Sequence, residues 1–299
     1  MKKVEKSRHV LAMSAQAPPV LSVQPPALVE LETADCFGDQ IRSSADVERG
    51  IDWGRINPAT GPVEVRHTTP GDTLVVRVES IETADQGVMC TGGGFGVLAD
   101  RIPDLHWRFL PIDEGVARWS DDIEIRTEPM IGVIGVAPAD EPVPCGTPGH
   151  HGGNMDTRLI TKGATVYLPV FAPGALLAVG DLHAAMGDGE VAVTGVEVCG
   201  RVVLHVDVRR DLRLADPLVE TGDLVATIAS AETLDEAADM ATHAMAELLH
   251  TRLGMELHDA VMLMSAVGDL QVSQVVDPLK TARFTMPKAE YETAHGPLL

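Results

Sequence analysis

Aromatic residues are scarce in this chain, where Trp, Tyr and Phe together make up 3% of the 299 residues. A fold with so few rings cannot be organised around large aromatic side chains. Glycine and proline are by contrast plentiful, with 28 and 20 residues. Valine-rich runs separated by these turn-forming residues point toward β structure.

Cysteine is also rare, with four residues far apart in the sequence: Cys36, Cys90, Cys145 and Cys199. None lies in a C-x-x-C motif, which argues against a zinc knuckle and against a disulfide framework. No uninterrupted apolar run approaches the ~18 residues of a membrane helix. The N-terminal segment lacks the long apolar region of a signal peptide. We therefore predict a cytoplasmic protein without a transmembrane helix.

Basic residues are few, with 23 Lys and Arg against 44 Asp and Glu, which gives a net charge of −21. An acidic surface of this kind repels phosphate backbones and anionic lipids. We expect neither nucleic acid nor membrane as a partner, whereas a small neutral or cationic substrate would not be repelled. At this length the chain can form one large domain or two.

Hydrophobic patterning divides the chain into three parts. Residues 1–27 are predicted to form an extended N-terminal arm. Residues 28–230 are predicted to form a β-rich catalytic body, because segments such as 28–33, 191–198 and 201–209 alternate apolar and polar side chains. Residues 231–299 are predicted to form a helix-helix-strand portion packed on the body, in which Thr233 and Glu236 form a capping box and Gly254 ends the first helix. The fold class is therefore mainly β with a smaller α+β C-terminal portion.

Residues 146–190 combine glycine with ligand-type side chains at high density. Three pairs of polar residues are two positions apart: Asn154 with Asp156, Asp181 with His183, and Asp188 with Glu190. Residues two apart on an extended backbone point the same way, and neighbouring glycines let the backbone bend close to a ligand. The three pairs could therefore converge on one site made of carboxylates, an imidazole and an amide.

Clustered carboxylates and an imidazole suit a divalent cation, with Zn²⁺ as the first choice and Ca²⁺ as the alternative. Such a cation polarises a carbonyl and lowers the pKa of a bound water, while a spare carboxylate acts as general base. These are the parts that amide hydrolysis needs. No G-x-S-x-G, H-E-x-x-H or Ser-x-x-Lys motif is present. A non-enzymatic binding module, in which the ion only stabilises a glycine-rich loop, stays the alternative.

The central run resembles the acetamidase/formamidase family. The resemblance rests on residues 151–156 (HGGNMD), 167–170 (YLPV) and 180–190 (GDLHAAMGDGE), with 57–62 (NPATGP), 70–72 (PGD) and 132–138 (GVIGVAP) in the same order. It implies a β-sandwich-like body, a homo-oligomer (dimer or higher) and a bound metal. It also implies cleavage of the C–N bond of a small aliphatic amide to ammonia and a carboxylate. A hydrolase of the same fold that acts on a cyclic amide or an amidine stays open.

The resemblance also implies site residues at the positions that match the motif. The metal ligands predicted in this way are Asp156, Asp181 and His183, with Asp35 as a further candidate. The catalytic residues are Glu190 as general base, Asp188 to orient it or the ligands, and Asn154 to hold the amide or the oxyanion. His151 and Met186 are predicted to contact substrate. Met186 stands where family members often have Gln, which would shift the preference toward a more apolar amide.

Overall fold

Valine-rich alternation produces strands over most of the chain, as the sequence predicts. The computed structural model describes residues 1–299. Its strands, in chain order, are β1 (Lys2–Val4), β2 (His9–Val10), β3 (Ala12–Met13), β4 (Leu21–Val23), β5 (Ala27–Thr33), β6 (Ala59–Val65), β7 (Thr73–Thr83), β8 (Gln86–Thr91), β9 (His106–Asp113), β10 (Val116–Arg118), β11 (Glu124–Arg126), β12 (Met130–Gly135), β13 (Val143–Pro144), β14 (Gly152–Asn154), β15 (Thr165–Pro169), β16 (Leu177–His183), β17 (Glu197–Val198), β18 (Gly200–Arg209), β19 (Leu218–Glu220), β20 (Leu224–Ala231), β21 (Asp269–Gln274) and β22 (Lys280–Pro287). The helices are α1 (Ser44–Arg49), α2 (Leu234–Leu253), α3 (Leu257–Val267) and α4 (Glu292–His295), with short 3-10 turns at Trp53–Arg55 and Lys288–Glu290.

Two large sheets pack face to face and confirm the β-sandwich-like body. One has nine strands in the order β1-β5-β18-β7-β15-β19-β20-β22-β21. The other has eleven strands, in which β11-β10-β9-β8-β17-β16-β12-β14 are consecutive and β6 pairs with β16, β2 and β4. One cluster of 32 buried apolar residues fills the space between them, with Leu31 and Val76 from the first sheet and Val179 and Leu182 from the second. Burial of aliphatic surface between the sheets is the main force that holds the body together.

The first 27 residues, predicted as an extended arm, are paired with the body by short strands. Strand β1 runs parallel to β5, β2 and β4 pair with β6, and β3 pairs with β13. Val4, Met13 and Val23 are buried by this pairing. The N-terminal segment therefore lies against both large sheets.

The strand predicted over residues 191–198 is wrong except at β17. Glu190 and Val193 have φ values of 47° and 83°, a left-handed conformation that interrupts an extended backbone. The hydroxyl of Thr194 turns inward, where it lies 3.1 Å from both the backbone N and the backbone O of Cys90. The apolar alternation in this segment therefore belongs to a buried loop, whereas the strand predicted over 201–209 is confirmed as β18.

The C-terminal helices cover one end of the nine-stranded sheet. A second apolar cluster, which includes Met245, Leu249, Met264, Phe284 and Met286, joins α2 and α3 to the strands. Strand β20 runs across residue 230 and pairs with β22 over its full length, so the sheet is continuous at that point. None of the helices combines the length and the apolar composition that crossing a membrane requires.

The capping box at the start of α2 has a measurable consequence. Thr233 accepts a hydrogen bond from the N–H of Glu236, whose side chain accepts from the N–H of Thr233. We expect Thr233→Ala to lower the free energy of unfolding by about 1 kcal/mol in urea denaturation. Thr242→Ala, within the same helix, is the control and should change it much less. Equal effects of the two substitutions would contradict the capping role.

Candidate active site

His183 lies at the centre of a cluster of buried carboxylates. Strand β16 carries it into the eleven-stranded sheet, where its side chain is fully buried. Four carboxylate oxygens lie within 4 Å of its Nε2 atom: Oδ1 of Asp156 at 3.8 Å, Oδ1 of Asp181 at 3.5 Å, Oε1 of Glu190 at 3.9 Å and Oε1 of Glu197 at 3.1 Å. One member of each predicted pair, and both members of the Asp181–His183 pair, therefore do meet at one point.

Strand register places these side chains together. Glu197 in β17 is directly opposite His183 in β16. Gly132, in the neighbouring strand β12, leaves the space that two of the carboxylates occupy. A β-carbon at Gly132 would lie 2.4 Å from Oδ1 of Asp156 and 2.7 Å from Oδ2 of Asp181. The absence of a side chain at Gly132 is therefore a condition for the close approach of the two acids.

Three of the acids have a backbone conformation that side-chain-bearing residues rarely adopt. The φ values are 42° for Asp156, 52° for Asp181 and 47° for Glu190. Each such residue costs roughly 1–3 kcal/mol, and residues of this kind concentrate at functional sites. The conformation turns each carboxylate toward His183, which indicates that the geometry of the cluster is used.

The electrostatics of the cluster are unfavourable without a further positive charge. Burial, reinforced by the charge of Asp181, raises the pKa of Asp156 to about 7. Burial also raises the pKa of Glu197 to about 8, and burial together with Asp156 raises that of Glu190 well above its usual range. His183 is the cation within salt-bridge distance of these acids. One imidazolium cannot balance four carboxylates.

Many polar atoms of the cluster lack any hydrogen-bond partner. They are both oxygens of Asp156, Oδ1 of Asp181, both ring nitrogens of His183, Oε2 of Glu190 and Oε2 of Glu197. Leaving such groups buried and unpaired is strongly unfavourable. Ligand atoms of Asp156, His183 and Glu190 lie within 4.8 Å of one another, as do those of Cys36, Asp181 and Glu197. These oxygen, nitrogen and sulfur donors fit a divalent cation.

A cavity of about 730 Å³ opens onto the cluster. Asp181, Glu190 and Glu197 form part of its wall, together with Asn154 and Asp277. Asp156 and His183 lie behind this wall. The cavity therefore gives a small molecule access to three of the clustered carboxylates.

Asn154 lies on the cavity wall, where it pairs with a residue that the sequence patterns missed. Its Nδ2 donates to Oδ2 of Asp277 at 2.9 Å, and its Oδ1 has no partner. Burial and the charge of Asp156 raise the pKa of Asp277 well above its usual range. Asp277 follows the C-terminal strand β21 and precedes Pro278, so its sequence signal is only that of a turn residue.

Glu197 and Cys36 were also missed. Glu197 is a single acidic residue in an apolar alternating segment, and this isolation is a signal that could have found it. Cys36 is the neighbour of Asp35, which was predicted as a ligand. Asp35 is buried away from the cluster, where its Oδ1 accepts from the N–H of Asp39 at 2.8 Å. The thiol of Cys36, not the carboxylate of Asp35, lies near Asp181 and Glu197.

Asp188 is not brought into the cluster. Its two oxygens accept hydrogen bonds from Arg283 on β22, at 3.0 Å from Nη1 and 2.6 Å from Nη2. Arg283 is 3% exposed and also donates to Ser273 and to the backbone of Val272. The pair fastens the loop that carries Glu190 to the C-terminal hairpin.

The two predicted substrate contacts also lie off the main cavity wall. His151 is buried beside Gly153, its Nε2 has no partner, and burial lowers its pKa to about 4. Met186 lines a second cavity of about 380 Å³. Glu190 and Thr194 line both cavities. Met186 thus reaches the far side of Glu190, away from the larger cavity.

A β-sandwich-like body that encloses a carboxylate–imidazole cluster defines the class of this protein. Within that class, the sequence profile of the Acetamidase/Formamidase family matches residues 13–145 and 143–292. The chain belongs to this family.

Curated relatives carry names of the same kind. The chain is 26% identical over 260 residues to a putative formamidase of Schizosaccharomyces pombe, covering 65% of this chain and 63% of the relative. It is 26% identical over 253 residues to a formamidase of Methylophilus methylotrophus, covering 65% and 62%. It therefore spans about 63% of the length of the first of these relatives.

Solved structures agree over nearly the whole chain. A protein from Thermoanaerobacter tengcongensis, described as a predicted acetamidase/formamidase, is 47% identical, with a TM-score of 0.96 and coverage of 99% of this chain and 98% of the other. An acetamidase from Bacillus halodurans is 44% identical, with a TM-score of 0.95 and coverage of 97% and 99%. A γ-lactamase from Delftia acidovorans, 21% identical with a TM-score of 0.69 and coverage of 98% and 94%, shares the fold.

The glycine beneath the cluster gives a direct test of the candidate cation site. We expect Gly132→Ala to weaken Zn²⁺ binding at least about tenfold, because the new methyl group displaces Asp156 and Asp181. Competition with a chromophoric chelator measures the affinity. Gly222→Ala is the matched control, since a β-carbon there meets nothing within 4 Å. Unchanged affinity in Gly132→Ala would contradict the assignment.

The Asp188–Arg283 pair predicts a loss of stability on truncation. Asp188→Ala leaves the guanidinium of Arg283 buried without its carboxylate partner. We expect the free energy of unfolding to fall by about 2 kcal/mol in urea denaturation. Unchanged stability together with lost turnover would instead give Asp188 the catalytic role that the sequence predicts.

Proposed function

We propose that this protein hydrolyses the C–N bond of a small amide, releasing ammonia and a carboxylate. The observation that carries the proposal is the buried cluster of carboxylates around His183, with Glu190 on the wall of the adjoining cavity. Membership of the acetamidase/formamidase family and the names of its relatives support the same reaction.

We propose that His183, Asp156 and Asp181 hold a divalent cation, with Zn²⁺ preferred and Ca²⁺ as the alternative. When bound, such a cation supplies polarisation of the amide carbonyl and a lower pKa for a bound water. The donor set of imidazole and carboxylates supports this assignment, as do the unpaired oxygens of Asp156. Cys36 and Glu197 offer further donors on the side of Asp181.

Glu190 is the proposed general base. It takes a proton from the attacking water as the oxygen of that water bonds to the carbonyl carbon, and it returns a proton to the nitrogen as the C–N bond breaks. Its place on the cavity wall supports this role, since Asp156 and His183 lie behind it. Asn154, with a free Oδ1 on the same wall, is the proposed contact for the NH₂ group of the substrate.

Exposed apolar side chains are consistent with a homo-oligomer, which we propose as the working form. Leu257, Val261 and Met262 on α3 are 50%, 50% and 60% exposed, and Leu270 on β21 is 53% exposed. Surfaces of this kind are often covered by another subunit. Sedimentation measures the state, and a monomer at micromolar concentration would contradict it.

The reaction is tested by ammonia release from formamide, acetamide and propionamide. We expect release from at least one of them, its loss on treatment with a chelator, and its recovery on addition of Zn²⁺. A folded protein that carries its cation and releases no ammonia from any amide would overturn the proposed reaction. The order of the three rates gives the preferred acyl group.

Replacing the proposed base separates catalysis from cation binding. We expect Glu190→Gln to lower kcat by at least about 100-fold, because the amide cannot accept the proton of the water. Its metal content, measured on the same sample, should match that of the unaltered protein. Glu64→Gln, a change of the same kind on β6, should leave kcat unchanged. Retained turnover in Glu190→Gln would remove it as the base, and loss of the cation would make it a ligand.

A further inference from the structure

The cavity above the cluster is much larger than formamide or acetamide requires. Its volume of about 730 Å³ lies within the ~300–1,000 Å³ range of pockets that bind drug-sized ligands. One water molecule occupies ~30 Å³ of liquid, and these amides are no larger than a few waters. Either amide would leave most of the cavity to solvent.

Part of the cavity wall is apolar and aromatic. It is formed by Leu11, Phe37, Trp53, Ile56, Phe95 and Val193. The rings of Trp53 and Phe95 stack, with centroids 5.0 Å apart and an angle of 30° between their planes. In a chain that is only 3% aromatic, three rings on one wall are a marked concentration.

The segment that carries Trp53 is fastened to the loop that carries Cys36. The backbone N–H of Asn57 donates to the carbonyl of Cys36 at 2.6 Å. Cys36 in turn places its thiol beside Asp181 and Glu197. The position of Trp53 is thereby fixed relative to the carboxylates that face the cavity.

The loop that carries Phe95 is fastened to the segment that carries Glu190. The backbone N–H of Val97 donates to the carbonyl of Val191, the residue after Glu190, at 2.9 Å. Phe95 is 36% exposed and Trp53 is 39% exposed, so both rings keep accessible surface. The aromatic pair is thus held beside the proposed base with part of its surface free to bind a ligand.

We propose that Trp53 and Phe95 bind a ring-sized apolar group on the acyl side of the substrate, so that arylalkyl primary amides are preferred over formamide and acetamide. This inference rests on the proposed function, because it names the substrate class of the same site. The acyl side carries the ring because release of ammonia requires an unsubstituted nitrogen. Water adds to the carbonyl carbon, the C–N bond breaks, the nitrogen leaves as ammonia, and an arylalkyl carboxylate remains.

Two amides and three variants test this assignment. The amides are phenylacetamide and acetamide, and kcat and KM are measured for the unaltered protein, Trp53→Ala, Phe95→Ala and Met262→Ala. We expect the unaltered protein to have the higher kcat/KM for phenylacetamide. Each aromatic substitution should lower that value by about fivefold to tenfold, mainly through KM, and change acetamide by less than about twofold. Met262→Ala, an exposed apolar residue on α3 outside the cavity, should change neither.

A binding measurement gives a second readout without turnover. Titration of phenylacetamide into Glu190→Gln should show saturable binding that the added substitution Trp53→Ala weakens to the same extent. Cleavage of acetamide with the higher kcat/KM, or an equal effect of the aromatic substitutions on both amides, would overturn this inference and leave the proposed reaction standing. Absence of cleavage of either amide would overturn both.

Discussion

The constraint on which the site depends is the burial of negative charge around His183. Four carboxylates lie within 4 Å of its Nε2 atom, and most of their remaining oxygens have no partner. Charges removed from water in this way are stable only when they are compensated. A bound divalent cation supplies the compensation and, in the same position, the polarisation that amide cleavage needs. The feature that makes the cluster unfavourable alone is therefore the one that gives it chemistry.

The surrounding sandwich maintains this arrangement. Apolar burial between two sheets fixes β12 and β16, whose register sets the distance between Gly132 and the two aspartates. Left-handed backbone at Asp156, Asp181 and Glu190 is tolerated because neighbouring strands and loops hold it. The Arg283–Asp188 pair fastens the Glu190 loop to the C-terminal hairpin. The C-terminal portion, which carries Asp277 as well, thus contributes directly to the site.

Local patterns predicted the elements well and the long-range contacts poorly. The capping box, the alternation in β18 and the spacing of Asp181 and His183 are local, and the structure agrees with each. The same spacing failed for Asp188, because Arg283, 95 residues away, binds it. Asn154 and Asp277 are separated by 123 residues, and their contact depends on how the β21–β22 hairpin docks. Strand 191–198 failed because buried loops and half-buried strands share one apolar alternation.

The most direct test of this account is the cation itself. Elemental analysis of the purified protein, followed by chelation and readdition, should be made with ammonia release and thermal unfolding measured on the same samples. The account predicts a bound divalent cation whose removal abolishes ammonia release and lowers the melting temperature, with both restored by Zn²⁺. Full ammonia release from a protein freed of all divalent cations would contradict it.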